Sequence, residues 1–137
     1  MSADLEFQKA IRARMIASAD VLALVPAASI IDRNQRPNPV PSIILGETQE
    51  VDEGGINRSR TRIYHTLHIW QKEPSLAGAK AIAQAVRMAF RGPRLSMPAP
   101  YTCGDLLLAS VRFLRDPDGE HSHGVMVIEG LISEDLA

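Results

Sequence analysis

The stretch VRFLRDPDGEHSHG, Val111 to Gly124, decides how this chain is read. It begins as an alternating strand, breaks at Asp116-Pro117-Asp118-Gly119 and runs straight into a second apolar strand. Proline presets its own φ, glycine tolerates positive φ, and aspartates accept bonds from nearby backbone amides, so the four residues form a strong turn signal. With apolar runs on both sides, the pattern predicts a β-hairpin with arms Asp105–Asp116 and Ser122–Ser133. In the second arm, Met126, Ile128, Gly130 and Ile132 share one face, and Val125, Val127, Glu129 and Leu131 share the other.

Working outward, the clearest other strand is Arg60–Gln71, RTRIYHTLHIWQ. Ile63, His65, Leu67 and Ile69 lie on one side, and Arg62, Tyr64, Thr66, His68 and Trp70 on the other. Both sides are partly apolar, which suggests cover on each. Before it, Ser42–Gln49 predicts a strand in which Gly46 marks a bulge or a close neighbour. Glu50–Ser59, polar and with paired glycines at Gly54-Gly55, reads as a mobile hairpin loop. Ile30-Ile31 predicts a very short strand, and the proline-broken segment 33–41 an extended connector. Arg94–Gly104 reads as a proline-broken loop.

Two stretches carry helical spacing. Ser2 or Asp4 opens the first, with Phe7, Ala10, Ile11 and Met15 on one stripe to about Ala17; Ser18 and Asp20 then restart it as a short helix, VLALV, stopped by Pro26. Leu76, Ala79, Ile82, Ala83, Val86, Ala89 and Phe90 align on the second, with Pro74 or Ser75 at its start and Gly92-Pro93 at its end. The order is α-β-β-β-α-β-β. The economical packing is α+β: a mainly antiparallel sheet of about four strands with two helices on one face, as a single domain over 1–137. The second sheet face then carries Tyr64, Trp70, Val125, Val127 and Leu131, which favours self-association.

The totals narrow the function. A formal net charge of -1 argues against a strongly basic nucleic-acid binder. One cysteine, Cys103, forms no internal disulfide and suits a reducing compartment, and the acidic opening MSADLEFQ is unlike a signal peptide. No run approaches the ~20 apolar residues of a membrane span. A cytosolic protein without cofactors is expected. Four histidines and one cysteine do not converge in sequence as a zinc site, so no metal site is expected. Asp116 and Asp118 are explained as turn chemistry before acid–base chemistry, and no catalytic residue is expected, since no phosphate loop or nucleophile elbow is present. Arg58, Arg60 and Arg62 form a basic cluster, either a solvated edge guarded against stray pairing or a contact for an acidic partner.

The order SADLEFQKAI, ADVLALVP, PSIILGE, HTLHIWQ, GAKAIAQAVR and VRFLRDPDGEHSHGV resembles the phage tail-completion family over nearly the full chain. These are tail-terminator, or head–tail joining, proteins of long-tailed phages and of gene transfer agents. The resemblance implies a virion-assembly protein with no enzymatic activity. It implies a hexameric ring that caps the major tail tube protein, stops its polymerisation and joins the tail to the head connector or stopper, with non-specific DNA passage through the lumen. It implies a cytoplasmic origin in the producing bacterium, then residence in the neck of the particle. A head-side adaptor of the same neck, a small oligomeric binding module and a minor enzyme using His121/His123 with Asp116/Asp118 are the other readings. Under the resemblance, the subunit or docking interface is expected at Arg58, Arg60, Arg62, Tyr64, Trp70, Arg112, Arg115, Asp116 and Asp118.

Overall fold

A computed structural model of the chain describes residues 2–32, 39–54 and 59–135. Residues 33–38 of the sequence-predicted connector 33–41, Pro37 among them, lie outside the described residues, as do Gly55 and Arg58. The elements run α1 (Ala3–Ile16), α2 (Ala19–Leu24), a 3-10 turn (Ala27–Ser29), β1 (Ile30–Ile31), β2 (Ser42–Asp52), β3 (Arg60–Lys72), α3 (Ala77–Ala89), β4 (Tyr101–Arg115) and β5 (His121–Glu134).

The fold is α+β, as the patterning predicts, with five strands rather than about four and three α-helices rather than two. The fifth strand, β1, is the very short strand expected at Ile30-Ile31, and the third helix, α2, is the short helix expected after Ser18; β1 pairs parallel to Ile43 and Ile44 of β2, so the sheet is mixed. The order across it is β1-β2-β3-β5-β4. The last strand therefore sits inside the sheet, between β3 and β4, and β4 forms an edge.

Two loop expectations are corrected. The stretch after Gln49 continues as strand through Asp52, because Glu50, Val51 and Asp52 pair with Ile63, Arg62 and Thr61. Strand β4 starts at Tyr101 rather than Asp105, since Tyr101, Thr102 and Cys103 find partners in Glu134, Ser133 and Ile132. In both cases a partner strand outweighs a polar or proline-flanked local sequence, as β-propensity is mostly a matter of context.

One face of the sheet carries the core. Ile63, Leu67, Ile69, Met126, Ile128 and Ile132 pack beneath Phe7, Ile11 and Met15 of α1 and Ala79, Ile82, Ala83, Ala85 and Val86 of α3. Ser2 caps α1 by accepting from the Leu5 amide, and Ser18 caps α2 by accepting from the Val21 amide. Arg12 and Arg14, off the apolar stripe, tie helices to loops. Arg12 Nε donates to the Ile30 carbonyl at 2.8 Å, and Arg14 Nη2 donates to the Pro93 carbonyl at 2.8 Å.

Phe7 lies directly over Gly130. A Cβ at Gly130 would stand 2.5 Å from Phe7 Cζ. The absent side chain is thus the socket for the Phe7 ring, and a larger residue fits only if that ring or its helix shifts. Gly130→Ala should destabilise the fold by about 1–3 kcal/mol, the usual range for overpacking, and Phe7→Leu in the same chain should recover part of the loss. Urea unfolding of the three proteins checks this. Equal stability of Gly130→Ala and the parent would contradict the packing.

The core also holds one imidazole. His65 is fully buried on the helix face of β3, and neither ring nitrogen has a partner among the described residues. Burial holds its pKa below the ordinary value, although the carboxylates of Asp4, Asp32 and Glu47 pull the other way. Below the normal imidazole pKa of about 6.5, the unfolded chain therefore takes up a proton more readily than the folded one. Stability is full above about pH 6.5 and is lost as pH falls toward the depressed folded value. Melting temperatures measured from neutral to mildly acidic pH should decline in the parent, and His65→Leu should flatten that slope. A slope unchanged by the substitution would assign the acid sensitivity elsewhere.

Candidate functional site

Among the described residues, no helix covers the other face of the sheet. From β3 it presents Arg62, Tyr64, Thr66, His68 and Trp70; from β5, His123, Val125, Val127, Glu129 and Leu131; from β4, Leu107, Ser110, Arg112 and Leu114. These side chains stand in rows because strand residues alternate faces. Most are half-buried by their neighbours within the sheet alone.

Two polar networks organise this face. The first runs across three strands at one end. Glu47 Oε1 lies 2.7 Å from His68 Nε2, and His68 Nδ1 lies 2.9 Å from His123 Nε2. The His123 ring stacks on Trp70, with centroids 3.9 Å apart and planes within 7°. The hydrogen bond from His68 lowers the Glu47 pKa, so Glu47 is a carboxylate. A neutral His68 then donates from Nε2 to Glu47 and accepts at Nδ1 from His123 Nε2–H. The line holds one proton between the two rings; a second would place two N–H groups head to head. Burial presses the His123 pKa down first, and a proton gained by His68 would press it further. Gly46 makes this line possible, because a Cβ there would lie 2.7 Å from His68 Cδ2. It also sits where the β2–β3 register shifts, between Leu45 and Thr48. Both readings of Gly46, bulge and close neighbour, hold.

The second network is ionic. Arg62 donates from Nη1 to Glu129 at 2.7 Å and from Nη2 and Nε to Glu53 at 3.0 and 3.2 Å. Its guanidinium pKa is raised, first by the Glu53 bonds and then by Glu129. Arg62 is therefore a brace between the end of β2 and the sheet centre, with three N–H groups bonded within the chain. Arg60, two residues earlier and opposite Ser133, lies exposed on the same face.

With this geometry in view, the comparisons with known proteins are decisive. Residues 9–133 match the family model described as tail completion protein gp17. The chain belongs to the tail completion protein gp17 family. Membership carries a structural role in completing a phage tail. A sequence comparison with curated proteins returns no match. Among solved structures, a chain in the virion of a native gene transfer agent particle superposes with a TM-score of 0.80, at 19% identity, over 96% of this chain and 98% of that one. The gp17 protein of bacteriophage SPP1 superposes with a TM-score of 0.62, at 19% identity, over 98% and 92%. At that identity the likenesses show the shared fold.

The remaining predicted site residues lie at the β4–β5 rim of the tail completion fold. Asp116 and Asp118 build the turn. The Gly119 amide donates to the Asp116 carbonyl at 3.0 Å, and Asp118 Oδ1 accepts from the amides of Glu120 at 2.8 Å and His121 at 3.1 Å. Gly119 takes φ 73, in the left-handed region. Those amides, Glu120 first, hold the Asp118 pKa low, and His121 Nδ1 adds a contact at 2.6 Å. Asp118, Glu120 and His121 bring donor atoms within 4.8 Å of one another, but the turn bonds already account for Asp118. Arg112 lies on the helix-free face beside Val125, whereas Arg115 pairs with buried Ser122 and faces the helix side. Cys103 is buried, and burial pushes its thiol pKa up, which fits an inert core sulfur. Among the described residues no helix is long and apolar enough to cross a membrane.

Sequence reasoning missed two features. It assigned the start of α3 to Pro74 or Ser75, yet the helix begins at Ala77 with Leu76 at the N-cap position, and Glu73 supplies the side chain that bonds its first amides. Its carboxylate accepts from the Gly78 and Ala79 amides at 2.7 and 2.9 Å and from Ser122 Oγ at 2.6 Å. Burial alone would raise the Glu73 pKa, but these donors outweigh it and the net shift is downward. It also placed His68 and His123 separately; only the β3–β5 register, with Trp70 opposite His123, brings them together. Replacing His123 by Ala should expose the Trp70 ring and orphan His68 Nδ1. The expected result is red-shifted tryptophan emission and a loss of about 1–2 kcal/mol. Unchanged emission would mean that the stack does not persist in water.

Proposed function

We propose that the protein is a tail terminator. Copies close into a hexameric ring on the major tail tube protein, halt tube growth and join the tail to the head connector, with DNA passing through the lumen. The observation that carries this reading is the family match over residues 9–133, which spans the sheet and α3 and most of α1. The physical features support it. An assembly protein needs surfaces rather than a reaction site, and the face bearing Tyr64, Trp70, Val125, Val127 and Leu131 has no helix over it among the described residues. A sheet face that carries half-buried aromatic and aliphatic side chains with no helix over it suits a contact surface. A net charge of -1 suits a lumen through which DNA slides, since basic phosphate contacts would retain it.

The docking surface in this reading is the helix-free face with Tyr64, Trp70 and Arg112, together with the hairpin rim at Arg115, Asp116 and Asp118. Arg60 and Arg62 border it, and Arg62 acts by holding Glu53 and Glu129 in place. Arg58 remains an expected contact outside the described residues. Deleting the gene from the producing strain should give tails of uncontrolled length without heads, seen in negative stain. Trp70→Ala should keep the fold by circular dichroism and lower the yield of complete particles. Normal particles from the deletion strain would overturn the proposal.

A further inference from the structure

The two edges of the sheet supply the contact that such a ring requires. On the ring reading above, we propose that successive copies join edge to edge: β4 of one copy pairs antiparallel with the free part of β2 in the next. Among the described residues, β4 pairs only with β5 and leaves its other side open. Among the described residues, β1 covers β2 only at Ile43 and Ile44, and no strand pairs with the outer side of β2 from Glu47 to Asp52. The two open segments lie at opposite ends of the sheet, which makes their contact heterologous, the kind that a closing rotation turns into a ring.

Strand direction agrees. From β2 through β3 and β5 to β4, each neighbour is antiparallel, so β2 and β4 run in opposite senses. Rotation about an axis along the strands preserves those senses, and β4 arrives antiparallel to the next β2. Natural edges resist such pairing with proline, lysine or very short strands. Here β4 runs from Tyr101 to Arg115 with no proline or lysine, and it exposes Leu107 at 42% and Leu114 at 37%. The β2 segment exposes Val51 at 41%. The register irregularities of β4 end at Ser110, which leaves Ser110–Arg115 as its regular part.

Charge complements this on both faces. Residues directly opposite one another in a sheet share a face. Arg112 lies on the helix-free face, where the Glu47 and Glu53 carboxylates bond His68 and Arg62. Arg115 lies on the helix face, where Glu50 and Asp52 pair with Ile63 and Thr61. Each exposed arginine thus finds acids only on its own side of the incoming strand. In an antiparallel register that sets Arg115 against Glu50, Leu114 meets Val51 and Arg112 meets Glu53. The incoming strand also clears β1, which occupies the edge at Ile43 and Ile44.

The test is disulfide trapping in purified particles. The full chain carrying Val51→Cys with Leu114→Cys is oxidised mildly and run on a non-reducing gel; Val51→Cys with Arg112→Cys or Ser110→Cys samples the neighbouring face-matched registers. One of the three pairs should give a ladder of covalent multimers, while the parent, with only buried Cys103, stays monomeric. Arg115→Glu should lower incorporation roughly tenfold, and Glu50→Arg in the same chain should restore it. Incorporation at normal yield with no ladder from any pair overturns edge pairing while the tail role stands. A covalent dimer from Leu114→Cys alone also overturns it, because β4 would then meet β4 about a two-fold. Absence of the chain from particles overturns both readings.

Discussion

The antiparallel ladder between β3 and β5 is the constraint on which the rest depends. Every residue of β3, from Arg60 to Lys72, has a partner in β5. Because alternate residues face opposite ways, this one register assigns every side chain of both strands to a side. It puts Ile63, Leu67 and Ile69 beside Met126, Ile128 and Ile132 under the helices, and it places Gly130 where Phe7 descends. A slip by one residue would carry His123 to the core and Ile128 to the open face. The fold leaves no such freedom, since a dense aliphatic layer tolerates few polar groups.

The same ladder accounts for the division between the two faces. The helix side is filled by aliphatic groups with one tolerated imidazole, His65, kept neutral by its burial. The other side is not an oily plane. It is crossed by the Glu47–His68–His123–Trp70 line and by the Glu53–Arg62–Glu129 brace. Both networks tie β2, β3 and β5 by side chains as well as backbone. A surface held rigid in this way loses little conformational freedom on contact, which favours assembly over a loose, adaptable patch.

The fold also explains why a central strand comes last in the chain. Strand β3 leaves the sheet through α3, β4 returns at the far edge, and the Asp116–Gly119 turn sends β5 back into the gap beside β3. Glu73 fastens this crossover at its start by gripping the first amides of α3 and Ser122 of β5 together. One carboxylate thus links the exit from β3, the crossover helix and the inserted strand. The edge strand β4 is left with one open side, as the open end of β2 is, and the closure of both falls to other chains.

The sequence by itself determined the elements, their faces and the hairpin, because these rest on local chemistry: period-two and helical spacing, serine caps, and a turn that glycine and aspartate make easy. It also carried the family resemblance, since the order of its segments survives in one dimension. Tertiary structure decided what depends on partners distant in the chain. Strand order, the extension of β2 to Asp52 and β4 back to Tyr101, the Glu73 bonds to the first amides of α3 and the meeting of His68 with His123 all require a second segment to arrive. The role of Arg62 changed for the same reason: a basic cluster in the sequence became a brace once Glu53 and Glu129 closed on it. Local patterning says which side a residue faces, but only the completed pairing says what it meets there.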